Sequence, residues 1–328
     1  MKFRQILLIP IIPLAGTPTA AMGDIFEPFV TANLSPFVQV HNLPSARSAD
    51  LSEKGEWQLG ITVETGNNFT AGDTADETIT LDGETSRNQL SVSYGITDRW
   101  ELSVTIPHVA HDGGSLDSFI EDWHKFFGLP NGNRESAEQD LLNYQWRSPG
   151  NPQVTITDSR QGLGDIGLQV AYQVRDNESR SVSLVGGATL PTGDAEDLLG
   201  SGSTTVFTGL YLSQRGLLGK RTLTLHGSAG AMFLGDSDLP GVNDWLGYGS
   251  ISLVWQRWER VALKTQVSMH SAVYDSDLKE LGHFAAQLSL GGTIALTART
   301  FLDIGVIEDI VTDTSPDAVF HFSLRQHF

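Results

Sequence analysis

The sequence predicts an all-β protein, a transmembrane antiparallel β-barrel of about twelve strands. Three observations carry that expectation. Apolar residues recur with a period of two along most of the chain, connections alternate between short and long, and charged and aromatic residues divide along the same lines.

The period begins at Trp57, Leu59, Ile61 and Val63, which alternate with Gln58, Gly60, Thr62 and Glu64. It resumes at Leu90, Val92, Tyr94 and Ile96, and again at Trp100, Leu102, Val104 and Ile106. Successive strand side chains point to opposite faces, so each segment has one apolar and one polar face. Ile166–Val174, Val182–Leu190, Val261–Met269, Phe284–Ile294, Leu302–Val306 and Phe320–Phe328 follow the same rule. Three segments read less cleanly, around Val206–Leu212, Leu223–Phe233 and Gly249–Trp255. Many have lengths near the roughly 9–11 residues that cross a bilayer when tilted.

Short links fall at 97–99, 176–181, 214–220, 257–260 and 297–299, and long ones at 66–87, 110–163, 191–202, 235–245, 274–282 and 309–317. Short periplasmic turns alternating with long outer loops are the pattern of an outer-membrane barrel. The short links and adjoining strand ends hold Arg99, Arg175, Arg180, Arg215, Lys220, Arg221, Arg257, Arg260 and Arg299; the long loops are rich in Asp and Glu. Trp57, Trp100, Tyr172, Trp255, Trp258 and Phe328 are expected in a periplasmic aromatic girdle, and Phe233, Trp245, Tyr248, Phe284 and Phe320 in an outer one. The last strand puts Phe320, Phe322, Leu324 and Phe328 on one face and ends on an aromatic residue, resembling the C-terminal signal read by the barrel-insertion machinery.

Composition agrees. The 328 residues are 40% hydrophobic and 18% charged, with net charge -18 and no cysteine. Disulfide, zinc-thiolate and cysteine-nucleophile chemistry are excluded, and so strongly acidic a chain is a poor nucleic-acid binder. Lys2 and Arg4, the apolar run Ile6–Leu14 and the small residues Thr19 and Ala21 order as a secretory signal, expected over residues 1–22. Residues 23–56 are then a periplasmic N-terminal segment or plug, and 57–328 the barrel, in the outer membrane of a Gram-negative cell among lipid and lipopolysaccharide.

With apolar faces toward lipid, the lumen-lining candidates are Glu64, Glu101, Gln169, Lys264, Gln266, His270, Gln287, Asp303 and Arg325, with Gln58, Arg175 and His321 also inward. Twelve strands enclose more than a side-chain-filled interior and less than an open diffusion pore. Within 115–130, Asp117 or Ser118 caps a helix whose apolar stripe includes Phe119, Ile120, Trp123, Phe126 and Phe127, expected as a lid over the mouth. Asp194, Glu196 and Asp197 are weak oxygen-ligand candidates for a divalent cation, as are Asp73, Asp76 and Glu77. His108, His111 and Asp112, His124, and the His270–Ser271 pair lie where a rim hydrolase would place its catalytic groups, but their spacing matches no such pattern. No cofactor motif is present, and no enzyme activity is expected.

Asn33–Arg47, Leu116–Arg134, and Leu190-Pro-Thr-Gly-Asp194 with Gly200-Ser-Gly202 resemble a family of Gram-negative exported proteins known only as a domain of unknown function. That resemblance covers nearly the whole mature chain. Gly162-Leu-Gly-Asp165 and the Leu-Pro-Thr-Gly-Asp piece also resemble outer-membrane barrels linked to aromatic-compound degradation, which implies transport. Neither resemblance supplies catalytic residues. One departure is His41-Asn42, where a glycine is expected. The expected function is a narrow channel or transporter for small, hydrophobic solutes; the alternative is a structural or surface-interaction barrel whose acidic loops bind divalent cations or lipopolysaccharide.

Overall fold

The computed structural model describes residues 24–114, 140–150 and 153–328. The signal expected over 1–22 and the lid candidates Phe119, Ile120, Trp123, Phe126 and Phe127 lie outside the described residues. The strands are β1 (Trp57–Asp73), β2 (Thr78–Thr97), β3 (Trp100–Asp112), β4 (Asn143–Arg147), β5 (Val154–Ile156), β6 (Arg160–Leu163), β7 (Ile166–Asp176), β8 (Arg180–Leu190), β9 (Thr205–Arg215), β10 (Leu223–Phe233), β11 (Trp245–Trp258), β12 (Val261–His270), β13 (Ala285–Ala295), β14 (Thr300–Asp309) and β15 (Ala318–His327). Among the described residues there are also two short helices, α1 (Pro36–Gln39) and α2 (Lys279–Gly282), and brief 3-10 turns.

Twelve of the strands form a closed antiparallel ring: β1–β2–β3, then β7 through β15, which returns to β1. Closure sets Gln58 opposite His327 and Asn67 opposite Ala318. A closed ring leaves no strand edge unpaired, which hydrocarbon requires because it offers backbone groups no partner. The outward surface matches such a solvent. Ile61, Leu102, Val170, Leu184, Leu210, Ile251, Leu263, Leu290, Ile304 and Phe322 are all exposed, each next to a buried residue facing inward. Exposed Trp57, Trp100, Trp255, Trp258 and Phe328 ring the short-turn end, and Trp245 and Phe284 stand at the other. The Arg257 guanidinium covers the Trp255 and Trp258 rings at 5.6 and 5.0 Å to their centroids.

Two sequence expectations shift by one face. Tyr248, expected in the outer girdle, shares the parity of Leu246 and Ser250 on β11 and is buried inside against Phe207. Arg175, expected inward, follows a register irregularity between Gln173 and Arg175 in the β7–β8 pairing and is exposed. The stretch 66–87, expected as a loop, is instead the upper half of the two longest strands, β1 with 17 residues and β2 with 20. It rises beyond the apolar band, so it lacks a lipid-facing period. Its buried Ile79 and Leu81 pack with Tyr144 and Trp146 of β4, which pairs alongside β2. The long 110–163 connection likewise holds strands: β6 continues β7 upward along β3, with one interruption at Gly164–Asp165.

Residues 24–56 run inside the ring. The chain climbs from the short-turn end along β10–β15, forms α1 beneath the outer loops, and descends along β3 and β7–β9 before β1 begins. At the top, Phe37, Val38 and Val40 join Trp146, Leu198, Leu234, Tyr274 and Leu281 in the main hydrophobic cluster. Phe37 meets Trp146 and Tyr274 edge-on, centroids 5.5 and 6.2 Å apart. An aromatic core built partly from the chain's own N-terminal segment thus lies at the long-loop mouth.

Candidate functional site

The polar inner wall that strand alternation creates is what receives this segment. On the ascending limb, Phe26 accepts a hydrogen bond from His226 Nε2 at 2.6 Å. The Gln266 amide brackets Phe29, accepting from its N–H at 3.0 Å and donating to its carbonyl at 3.1 Å. Higher up, Asn33 Nδ2 meets His270 Nε2 at 3.1 Å, and Tyr274 donates to the Phe37 carbonyl at 2.7 Å. Below them lies a buried charge network. Lys264 Nζ sits 2.9 Å from Asp303 and 4.9 Å from the Phe29 ring centroid; Arg325 pairs with Asp303 at 3.4 Å and also with Glu27 of the segment. Glu64, another lumen candidate, pairs with His321 across the β1–β15 seam at 3.0 Å.

The descending limb begins at His41 and Asn42. His41 Nε2 lies 3.2 Å from the Tyr274 hydroxyl, and burial, reinforced by the nearby His270, pushes its pKa down to about 3. Asn42 adopts φ +49°, the left-handed region that glycine favours, in the place where the sequence departs from glycine. Its side chain accepts from Arg87 and donates to the Asp165 carbonyl at 3.1 Å. Asp165 in turn explains the two glycine-containing motifs: its carboxylate accepts from Gly193 N–H, Ser201 N–H and Ser201 Oγ at 2.9, 2.9 and 2.8 Å. The Thr192 hydroxyl ties the same loop to Gly164 at 2.7 Å. The motifs therefore staple the 191–202 loop to the interruption between β6 and β7, and to the segment inside.

Further down, Arg47 pairs with Glu101 at 2.7 Å, whose second oxygen accepts Ser52 N–H at 2.7 Å. Ser213 accepts Ala49 N–H at 2.9 Å and meets His226 Nδ1 at 2.8 Å, and His226 bonds the Phe26 carbonyl, so two wall residues link the two limbs. Asp50 bonds Ser181 and pairs with Arg215 at 2.5 Å; burial opposes ionisation, but these partners hold its carboxyl below the usual range.

Between the descending limb and the wall of β1, β2, β3 and β7 lies a cavity of about 170 Å³. Gln58, Ser91, Ser93, Ser103, Thr105 and Gln169 line its wall side; on the segment side Val30, Leu43, Ala46 and Leu51 alternate with polar residues such as Ser45, Ser48 and Ser52. A smaller cavity of about 40 Å³ lies across Leu43–Ala46, against β10–β13. Buried Gln287 Nε2 and Tyr248 Oη border it without hydrogen-bond partners.

Of the nine lumen candidates, Glu101, Gln266, His270, Arg325 and Lys264 contact the segment directly, Asp303 pairs with Lys264, Glu64 bonds His321 within the wall, and Gln169 and Gln287 border the cavities. Sequence reasoning missed the segment's own partners, Glu27, Asn33, Asn42, Arg47 and Asp50, because only a tertiary path brings them to the wall. Among the described residues no group of three His, Asp or Glu side chains is placed to hold a metal ion. Asp194 turns its carboxylate to Glu196 N–H, and Asp197 pairs with Arg160 at 2.7 Å. The rim histidines separate: His108 is exposed, while buried His111 meets Thr85 at 3.1 Å and the Leu198 carbonyl at 2.9 Å.

The match that decides membership spans residues 5–328. The chain belongs to the family described as protein of unknown function, DUF3187. Its fold is shared with the COG4313 outer membrane channel from Pseudomonas putida F1, at TM-score 0.54 and 13% identity, covering 85% of this chain and 98% of that one. Two further solved structures are less similar. The toluene transporter TodX of P. putida gives TM-score 0.38 at 9% identity, and TbuX of Ralstonia pickettii gives 0.35 at 9%; both cover 85% of this chain and 90% of theirs. No curated protein matches the sequence.

Proposed function

We propose that the protein is an outer-membrane channel for small solutes, hydrophobic ones among them, and that residues 23–56 are its movable plug. The observation that carries this reading is the cavity of about 170 Å³ left between the plug's descending limb and the barrel wall. A barrel filled only for rigidity has no reason to keep such a space in a close-packed interior. The limb faces it with Leu43, Ala46 and Leu51, and Val30 of the ascending limb joins them, offering contact to apolar solutes. The shared fold with an outer membrane channel supports the same reading.

On this proposal residues 1–22 are an export signal, and the terminal Phe328 marks the chain for the insertion machinery. The lipid- and lipopolysaccharide-facing surface anchors the barrel. The divalent-cation and hydrolase readings have no described cluster behind them. Proteoliposomes holding the full chain should take up small neutral solutes, and removal of residues 24–52 should raise the rate severalfold. Absence of uptake in both preparations would overturn the channel.

A further inference from the structure

Across β1, β2, β3 and β7 the register aligns two inward rows. One reads Gly60, Ser91, Thr105, Gly167 and the next Gln58, Ser93, Ser103, Gln169. In the first row a side chain at Gly60 would run into the Ser91 hydroxyl, and one at Gly167 into that of Thr105. The two glycines thus keep the wall low on either side of a hydroxyl pair, so that both hydroxyls face the cavity. Ser91, Thr105, Gln58 and Gln169 are only part-buried and make no side-chain hydrogen bond within the described protein. These four groups face the cavity with donors and acceptors that no atom of the described protein takes, open to water or to a solute. The facing limb is apolar at Leu43 and Leu51. Charges at the margins are already matched, Arg47 with Glu101, Arg325 with Glu27 and Asp50 with Arg215, and Glu56 meets His327 at 3.3 Å.

We infer that this shelf is a solute-binding site for a small neutral molecule with one apolar face and a hydrogen-bonding edge, the size of a single six-membered ring. The size follows from volume: a dry cavity of roughly 150 Å³ holds benzene, and this one measures about 170 Å³. The edge follows from the four unpaired polar groups, and neutrality from the paired charges. The inference rests on the channel reading for its purpose and adds to it that a polar substituent is favoured over a bare hydrocarbon.

The test titrates phenol, toluene and benzoate into the full chain in detergent, with binding read by calorimetry or saturation-transfer NMR. Phenol should bind about 2- to 10-fold more tightly than toluene, the value of one neutral hydrogen bond, and benzoate more weakly than phenol. Ser91→Ala with Thr105→Val should erase the preference for phenol and leave toluene unchanged. Because that pair keeps the wall's volume, Gly60→Leu serves as a second probe: it fills the shelf and should weaken all three. Toluene binding at least as tightly as phenol, benzoate binding best, or a preference that survives Ser91→Ala with Thr105→Val would overturn the site. Uptake by proteoliposomes separates the two readings. Uptake without phenol selectivity leaves the channel standing and removes the site, whereas selective binding with no uptake in any preparation leaves the site standing and removes the channel.

Discussion

Along β10–β15 the ascending limb is bonded at almost every step, through His226, Gln266, His270 and the Arg325–Glu27 pair. Against β1–β3 and β7 the descending limb is held by Arg87 near its top and by Glu101 lower down, and between them it stands off, leaving the cavity and its unpaired Ser91, Thr105, Gln58 and Gln169. Both limbs meet a polar wall made by the same strand alternation. The difference lies in how often each wall bonds the segment that runs past it. A limb bonded at many points is held rigid, and one bonded at few points has room to change. The ascending side is the anchor and the descending side is where a solute would enter.

The anchor is the place for the largest effect. Asp303→Leu leaves Lys264 and Arg325 buried beside each other without their common carboxylate. Removing one partner of a buried charge network costs about 3–5 kcal/mol, so the variant should unfold at much lower temperature or denaturant. Thermal unfolding that matches the parent would show that the anchor lies elsewhere. A smaller loss is expected at the staple above the cavity. Asp165→Ala removes the acceptor of three donors from the 191–202 loop, at about 2 kcal/mol. Hydrogen exchange should quicken in that loop and near Asn42 while the distant β12–β14 amides stay protected.

The smallest effect is on pH. The packed His41 titrates at about 3, against 6.5 for an ordinary histidine. Between those values the released segment binds a proton that the packed one does not, so packing strengthens as pH rises and weakens as pH falls. The loss is at most about 1.4 kcal/mol per pH unit below roughly pH 6. Exchange of the 36–42 amides, corrected for intrinsic rate, should therefore rise from pH 7 to pH 5, and His41→Asn should flatten that rise.

The ring itself was legible in the sequence because each strand carries its own period-two record and each turn its own charge. What escaped is what several segments make together. The upper β1–β2 hairpin looks like an acidic loop because its apolar residues, Ile79 and Leu81, answer to Tyr144 and Trp146 rather than to lipid. Glu101, Gln266 and Arg325 were legible as inward polar residues, but their partners on the segment were not, since nothing local records that Arg47 or Glu27 will pass them. Asp165 was visible only as part of a motif; its three donors come from a loop some thirty positions away. At Asn42 the sequence did hint at the backbone, for a position suited to glycine is one with positive φ.

The central claim is that the descending limb moves off the wall to let a solute pass. The chain has no cysteine, and Ser48 Oγ lies 3.1 Å from Ser213 Oγ, so Ser48→Cys with Ser213→Cys provides a single reversible lock between that limb and β9. Solute uptake by proteoliposomes of this variant should stop when the pair is oxidised and return on reduction. Equal uptake in the two states would contradict the account.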